Sequence, residues 1–213
     1  EIELPRGLRS VFELAETAMS GVSARVAVRK DAGDDPDVTH GALIVAEVCR
    51  AAPGAGIVFR AGEGVGMVTR PGLPIPVGEP SITPAPRQYI SQAVSSIAEA
   101  AGVPVDFEIT LSVPGGKRLA EKTMNARLGI IGGLSILGTT GVVIPYSCGA
   151  WIASIHRGVD VARAAALPHI AATTGRTSEA GTRALYGLPE QALIEMGDFA
   201  GGLLKYVRNH PVP

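Results

Sequence analysis

The chain has 213 residues, 46% of them hydrophobic and 18% charged, with 19 Lys and Arg set against 20 Asp and Glu. A net charge of −1 excludes a protein that lives on the phosphate backbone of nucleic acid, and 4% aromatics leaves no base-stacking platform. The apolar fraction supports a sizeable core, and no uninterrupted apolar run of about 18 residues is present to make a membrane helix.

Several smaller counts narrow the class. Cys49 and Cys148 lack metal-like spacing and read as free thiols in a reducing cytoplasm. His40, His156, His169 and His210 are scattered, so no zinc motif exists and no metal site is expected. The first residue is Glu1 and no basic-then-apolar leader follows it, so the start is expected to be trimmed or internal to a longer chain. The 27 Gly and 16 Pro are aperiodic and cluster in loops beside apolar runs, as in an α/β enzyme whose backbone approaches a ligand closely.

In chain order, Ser23–Lys30 alternates as a half-buried strand and runs into a carboxylate-rich turn, Asp31-Ala-Gly-Asp-Asp-Pro-Asp37. Strands are predicted at 41–49 and 56–60. Residues 62–86 hold five glycines and six prolines and predict a long irregular loop. A helix over 86–101 has apolar Ile90, Val94, Ile97 and Ala101 at helical spacing, and a clear strand spans 105–113. Beyond Pro114 the rhythm changes. A strand at 127–131 enters a glycine-rich segment, 132–141, and a helix follows from about Ser147. The order then repeats: strand 169–173, turn 174–179, helix to Tyr186, strand 192–196, turn 197–198, and helix 199–208 with Asp198 as a candidate N-cap. The fold class is therefore α/β and α+β. A mixed α+β part, residues 1–115 with the loop 62–86, precedes a βαβαβα part, residues 126–213, whose three strands form a parallel, Rossmann-like sheet. Three strands make a small parallel sheet, so truncation is expected at the C-terminus as well.

In an open parallel sheet the carboxyl ends of the strands share one edge, and ligands bind there. The loops 132–141, 174–179 and 197–198 are thereby expected around one crevice, although ordinary strand-to-helix turns also favour Gly and Thr. No Walker A motif, dinucleotide fingerprint or nucleophile elbow is present. The acidic turn lacks the glutamate that closes a calcium loop, since residue 42 is Ala. A plain turn and a substrate-facing site both remain open for it.

Four segments carry a family resemblance: Lys30–Asp37; Gly62–Pro80; Gly132-Gly-Leu-Ser-Ile-Leu-Gly138-Thr-Thr-Gly141 with Val142 and Val143; and Thr174-Gly-Arg-Thr-Ser-Glu179. Together, and in this order, they closely resemble the cobalt-precorrin-5B C(1)-methyltransferases of cobalamin biosynthesis, from about residue 23 to the end. Members of that family begin earlier and end later than this chain. The resemblance implies a cytoplasmic enzyme that transfers a methyl group from S-adenosylmethionine to C1 of a cobalt-containing corrin precursor. It leaves homo-oligomerisation open. A non-catalytic tetrapyrrole-binding module and another small-molecule α/β transferase, such as a nucleotide-dependent one, are the alternatives.

Within that frame, residue roles follow from chemistry. The activated methyl sulfonium needs alignment rather than a protein nucleophile. Backbone amides and hydroxyls of Gly132, Gly133, Ser135, Gly138, Thr139, Thr140 and Gly141 are candidates to hold the donor. Asp198 is a candidate for its ribose hydroxyls, beside the capping role. The carboxylate-bearing corrinoid calls for cations, so Arg70, Arg87 and Arg176 are candidates, with Thr174, Thr177 and Ser178 in the same turn as Arg176. A solvated surface charge is the alternative for each arginine. Asp31, Asp34 and Asp35 are candidates to take a proton or orient the macrocycle, and the loop 62–86 to shape the substrate site.

Overall fold

Regular alternation between apolar and polar residues builds the N-terminal half. The computed structural model describes residues 2–3, 7, 9–138 and 141–212. Thr139 and Thr140 lie outside the described residues. Two short strands, β1 (Ile2–Glu3) and β2 (Arg9–Ser10), pair antiparallel. Then come β3 (Glu16–Met19), β4 (Ser23–Arg29), β5 (Leu43–Arg50) and β6 (Ile57–Ala61). The long loop contributes only β7 (Met67–Val68) before helix α1 (Pro84–Ala100) and strand β8 (Phe107–Ser112).

Five of these strands form one sheet in the order β3-β4-β5-β8-β6, antiparallel except for the parallel β6–β8 pair. A parallel pair cannot be closed by a hairpin, so the chain between β6 and β8 must cross over, and α1 lies on that crossover. Prolines in its first turn suit α1, because their missing N–H groups have no intrahelical partner there. Ile90 and Val94 of α1 pack against Phe59, Ile109 and Leu111, the centre of the main core. The strand β3 was not foreseen: all four of its residues are exposed, so no alternation marks it, and it is held as the outer arm of a hairpin turning at Ser20–Ser23.

Behind β8, Gly115 turns in the left-handed region and a short helix, α2 (Gly116–Ala120), follows. Here backbone meets backbone. A Cβ on Gly64 would fall 2.0 Å from the Val113 carbonyl oxygen and 2.8 Å from the Gly116 nitrogen. One on Gly133 would fall 2.2 Å from the carbonyl of Gly64.

Strand β9 (Ile130–Ile131) pairs antiparallel with β7 inside the long loop, and bridges join Val65 to Leu134 and Ile82 to Ile136. The remaining elements are α3 (Cys148–Ala164), β10 (Ala171–Thr173), α4 (Arg176–Tyr186), a 3-10 turn at Glu190–Ala192, β11 (Leu193–Glu195) and α5 (Ala200–Asn209). Strands β10 and β11 are parallel, with Thr173 opposite Glu195. Ile155 and Val159 of α3 and Leu203 of α5 cover Ile194.

The fold is thus mixed α/β with a mostly antiparallel mixed sheet, which corrects the expected three-stranded, Rossmann-like parallel sheet. Only two of the three strands are parallel neighbours. The expected first strand, 127–131, is reduced to two residues. Ile130 is buried with Val68 and Ile75 while Ile131 is exposed, a one-sided burial that suits the edge of the long loop and not a doubly covered parallel strand. Residues 130–136, expected in the second part of the chain, are therefore paired with residues of the first.

Candidate functional site

Two of the three expected loops lie side by side. Because β10 and β11 are parallel neighbours, the turn after β10 and Gly197–Asp198 after β11 open on the same edge, tied by Met196 N–H donating to the Thr173 carbonyl at 2.8 Å. In the first turn, Ser178 accepts from the Thr174 and Gly175 N–H groups at 3.0 and 3.1 Å and donates back to the Gly175 carbonyl. Thr174 Oγ1 lies 3.2 Å from the same hydroxyl. Ser178 and Thr174 thus shape the turn, while Arg176 and Thr177 are exposed.

The glycine-rich segment reaches this edge through α3. Ser147 caps α3 by accepting from Ala150 N–H at 3.2 Å. One turn on, the Trp151 ring lies 6.4 Å from that of Phe199 and lines Gly197, where an added Cβ would touch the indole at 3.6 Å. Asp198, next to it, is exposed and makes no cap: Phe199 holds the N-cap position of α5 without a side-chain bond. The N-cap alternative for Asp198 is thereby set aside, and its carboxylate stands at the strand edge. Trp151, itself partly exposed, gives the edge an apolar margin.

The acidic turn is tied to the residue that precedes the α3 cap. Asp35 Oδ1 accepts from the Tyr146 N–H at 3.0 Å. Asp31 caps its own turn through Gly33 N–H at 2.8 Å, with His40 Nδ1 3.9 Å away. Asp34 is exposed. Asp37, outside the candidate set, is bound by Lys30 and Thr39. Burial pushes its pKa up, but the bonds from Lys30 and Thr39 outweigh this and hold it below the usual carboxylate value.

Other candidates are placed elsewhere. Gly133 is buried against Gly64, and its carbonyl accepts from Asn125 Nδ2 at 2.9 Å. Ser135 Oγ lies 2.8 Å from the hydroxyl of fully buried Ser81. Both serve to fasten the segment to the long loop, whereas Gly132, Gly138 and Gly141 are exposed with positive φ. Arg87 is committed to the carbonyls of Ile82 and Pro80 and to Glu79 at 2.9–3.2 Å. Arg70 lies along Gly129, with the Gln191 amide turned so that its oxygen accepts from the guanidinium at 2.9 Å. These two arginines brace the loop 62–86 and stand apart from the strand edge.

Sequence reasoning missed the strongest ion pair behind the site. Arg127 donates twice to Glu179, both bonds 2.7 Å, and also approaches Glu190 at 3.3 Å; Arg183 adds a third contact to Glu179. The Glu179 bonds hold the Arg127 pKa above its ordinary value despite burial, so the guanidinium stays charged. A glutamate inside the Thr174–Glu179 motif was the only signal available. Beside this pair, Met124, Leu128, Gly158 and Gln191 line a cavity of about 20 Å³, room for about one water and no nucleoside.

Among the described residues no helix is long and apolar enough to cross a membrane, and no group of three or more His, Cys, Asp or Glu is gathered as for a metal ion. The family model described as CbiD matches residues 1–145. The cobalt-precorrin-5B C(1)-methyltransferase of Methylorubrum extorquens is 62% identical over 211 residues, covering 99% of this chain and 58% of that protein. The protein of the same name from a Bradyrhizobium species is 61% identical over 212 residues, covering 100% and 56%. A crystal structure of the cobalamin biosynthesis protein cbiD from Archaeoglobus fulgidus shares 31% identity, covering 90% of this chain and 59% of that one, with a TM-score of 0.47. The chain therefore spans a little over half the length of the curated relatives it matches. With the family model covering well over half of its residues, the chain belongs to the CbiD family.

Proposed function

We propose that the chain forms part of an S-adenosylmethionine-dependent methyltransferase that acts on C1 of cobalt-precorrin-5B in corrin ring synthesis, in the cytoplasm. The observation that carries this reading is 62% identity, across nearly the whole chain, to a relative bearing that name. The strand edge supports it. Asp198 offers an exposed carboxylate at a strand end, where ribose hydroxyls are commonly held. The exposed indole of Trp151 beside Gly197 offers an apolar contact to the remainder of a nucleoside donor, and the exposed backbone at Gly138 and Gly141 is proposed to add polar ones.

S-adenosylmethionine supplies an electrophilic methyl group, so the work left to the protein is alignment. Holding donor and ring carbon in line at about 3 Å is worth roughly 7–11 kcal/mol of the barrier. The acceptor's acetates and propionates require cations. Arg176, exposed at the first residue of α4 and without a hydrogen bond or ion pair among the described residues, is the residue proposed to meet them, with Thr177 beside it. Asp31 and Asp34, exposed in the acidic turn, are proposed to face the macrocycle.

Calorimetric titration with S-adenosylhomocysteine tests the reading, on this chain and on one of the relatives' full length. Saturable binding by this chain supports a donor site at the strand edge. Binding by the longer chain alone means that residues beyond this chain complete the donor pocket, with the methyltransferase reading intact. Binding by neither overturns the methyltransferase reading in favour of a tetrapyrrole-binding module.

A further inference from the structure

Of the four carboxylates in the acidic turn, Asp35 is set apart by bonding outside it. Asp31 closes the turn on Gly33, Asp37 is taken by Lys30 and Thr39, and Asp34 projects to solvent. Asp35 instead accepts the N–H of a residue 111 positions away, Tyr146. Tyr146 is one of two non-glycine residues with positive φ among the described residues, at 53°, a conformation that a bulky L-residue keeps only where its surroundings impose it. Its side chain does not impose it, since the residue is 75% exposed. The imposed contact is therefore at the backbone. Immediately after Tyr146, Ser147 caps α3, and one turn later Trp151 seats against Gly197 and Phe199.

We infer that Asp35 is a positioning residue: its carboxylate oxygen holds Tyr146 in the left-handed turn and thereby seats the first turn of α3, with Trp151, against the strand edge. This assigns the acidic turn's long-range contact to geometry and not to proton transfer, and it rests on the strand edge being the donor site proposed above. The role needs an acceptor oxygen and no proton, which separates Asp35→Asn from Asp35→Ala.

Trp151 is the only tryptophan of the chain, so its emission reports the seating directly. Asp35→Ala should shift Trp151 emission to the red, raise its quenching by acrylamide about twofold, and weaken S-adenosylhomocysteine binding about fivefold, the loss of one net hydrogen bond. Asp35→Asn, which retains an acceptor, should leave emission at the parent value. Tyr146→Gly placed on Asp35→Ala should restore at least part of the emission, because glycine adopts positive φ without help. Parent-like emission and quenching in Asp35→Ala would overturn the inference, as would an Asp35→Asn protein as perturbed as Asp35→Ala. Should the ligand bind no form of the protein, the donor-site reading fails, while the tryptophan signal still decides the positioning role.

Discussion

Replacing Glu179 with alanine should cost this protein about 3 kcal/mol of stability. The residue is 8% exposed and receives two bonds of 2.7 Å from Arg127 and one of 3.3 Å from Arg183. Removing one partner of a buried ion pair leaves the other charge uncompensated and costs about 3–5 kcal/mol. Arg127 retains Glu190 at 3.3 Å, on a side chain that is more than half exposed and so well screened, which sets the expectation at the lower end. In a domain of this length each kcal/mol moves Tm by about 2–4 °C, so Glu179→Ala should melt about 6–12 °C below the parent. Calorimetric unfolding at neutral pH measures this, with guanidinium titration as a second route. Exchanging both partners for methionine should recover most of the loss, since the desolvation cost disappears with the charges. A Glu179→Ala loss below about 1 kcal/mol would refute the reasoning, because it would show that solvent already screens the pair.

Gly133→Ala should lower stability by about 3 kcal/mol or block folding, because the new methyl meets the Gly64 carbonyl at 2.2 Å and neither backbone can give way; a melting temperature equal to the parent's would contradict this. Ser178→Ala should cost about 1 kcal/mol and speed amide exchange at Thr174 and Gly175, whose N–H groups the hydroxyl accepts. Asp37 has a folded pKa below its ordinary 3.8, so its contribution to stability is fully present above that value and is lost as pH falls through the folded one. Asp37→Asn should therefore flatten the acid limb of a stability profile below about pH 4 and be less stable than the parent at pH 7. Arg176→Ala should weaken binding of the corrinoid more than that of S-adenosylhomocysteine; equal losses, or none, would remove Arg176 from the substrate side.

Much of the architecture was legible because burial writes a period into the sequence. The alternation of 105–113 and the apolar face of 151–162 each identify one element without reference to any other, and β8 and α3 lie where those patterns stand. Pairing is different. Ile130 and Ile131 carry no sign of direction, and their partner, β7, is two residues in a loop whose prolines argue against strand. The helix α2 is hidden behind Pro114, Gly115 and Gly116, which read as a stop. At the site, the turn after β10 and the position of Asp198 followed from chain order. Gly133 shows the limit of that logic: a glycine that lets a ligand approach and a glycine that lets another backbone approach are the same letter. The contacts between Arg127 and Glu179 and between Asp35 and Tyr146 join residues 52 and 111 positions apart, which no local pattern encodes.

The crossing of Gly64, Gly116 and Gly133 sets a schedule for synthesis. All five strands of the main sheet have left the ribosome once Ser112 is clear, yet Val65 and Ile82 still lack Leu134 and Ile136, and Ser81 waits for a hydroxyl 54 residues downstream. Until then the proline-rich segment between β6 and α1 has β8 and the turn at Val113–Gly116 on one side and no Leu134 or Ile136 on the other, so part of its apolar surface is uncovered. A nascent chain stalled in this interval should offer a protease or a chaperone Val65 and Ile82, which the finished protein buries. Translation through residues 113–136 is then the interval in which this apolar surface waits for its cover.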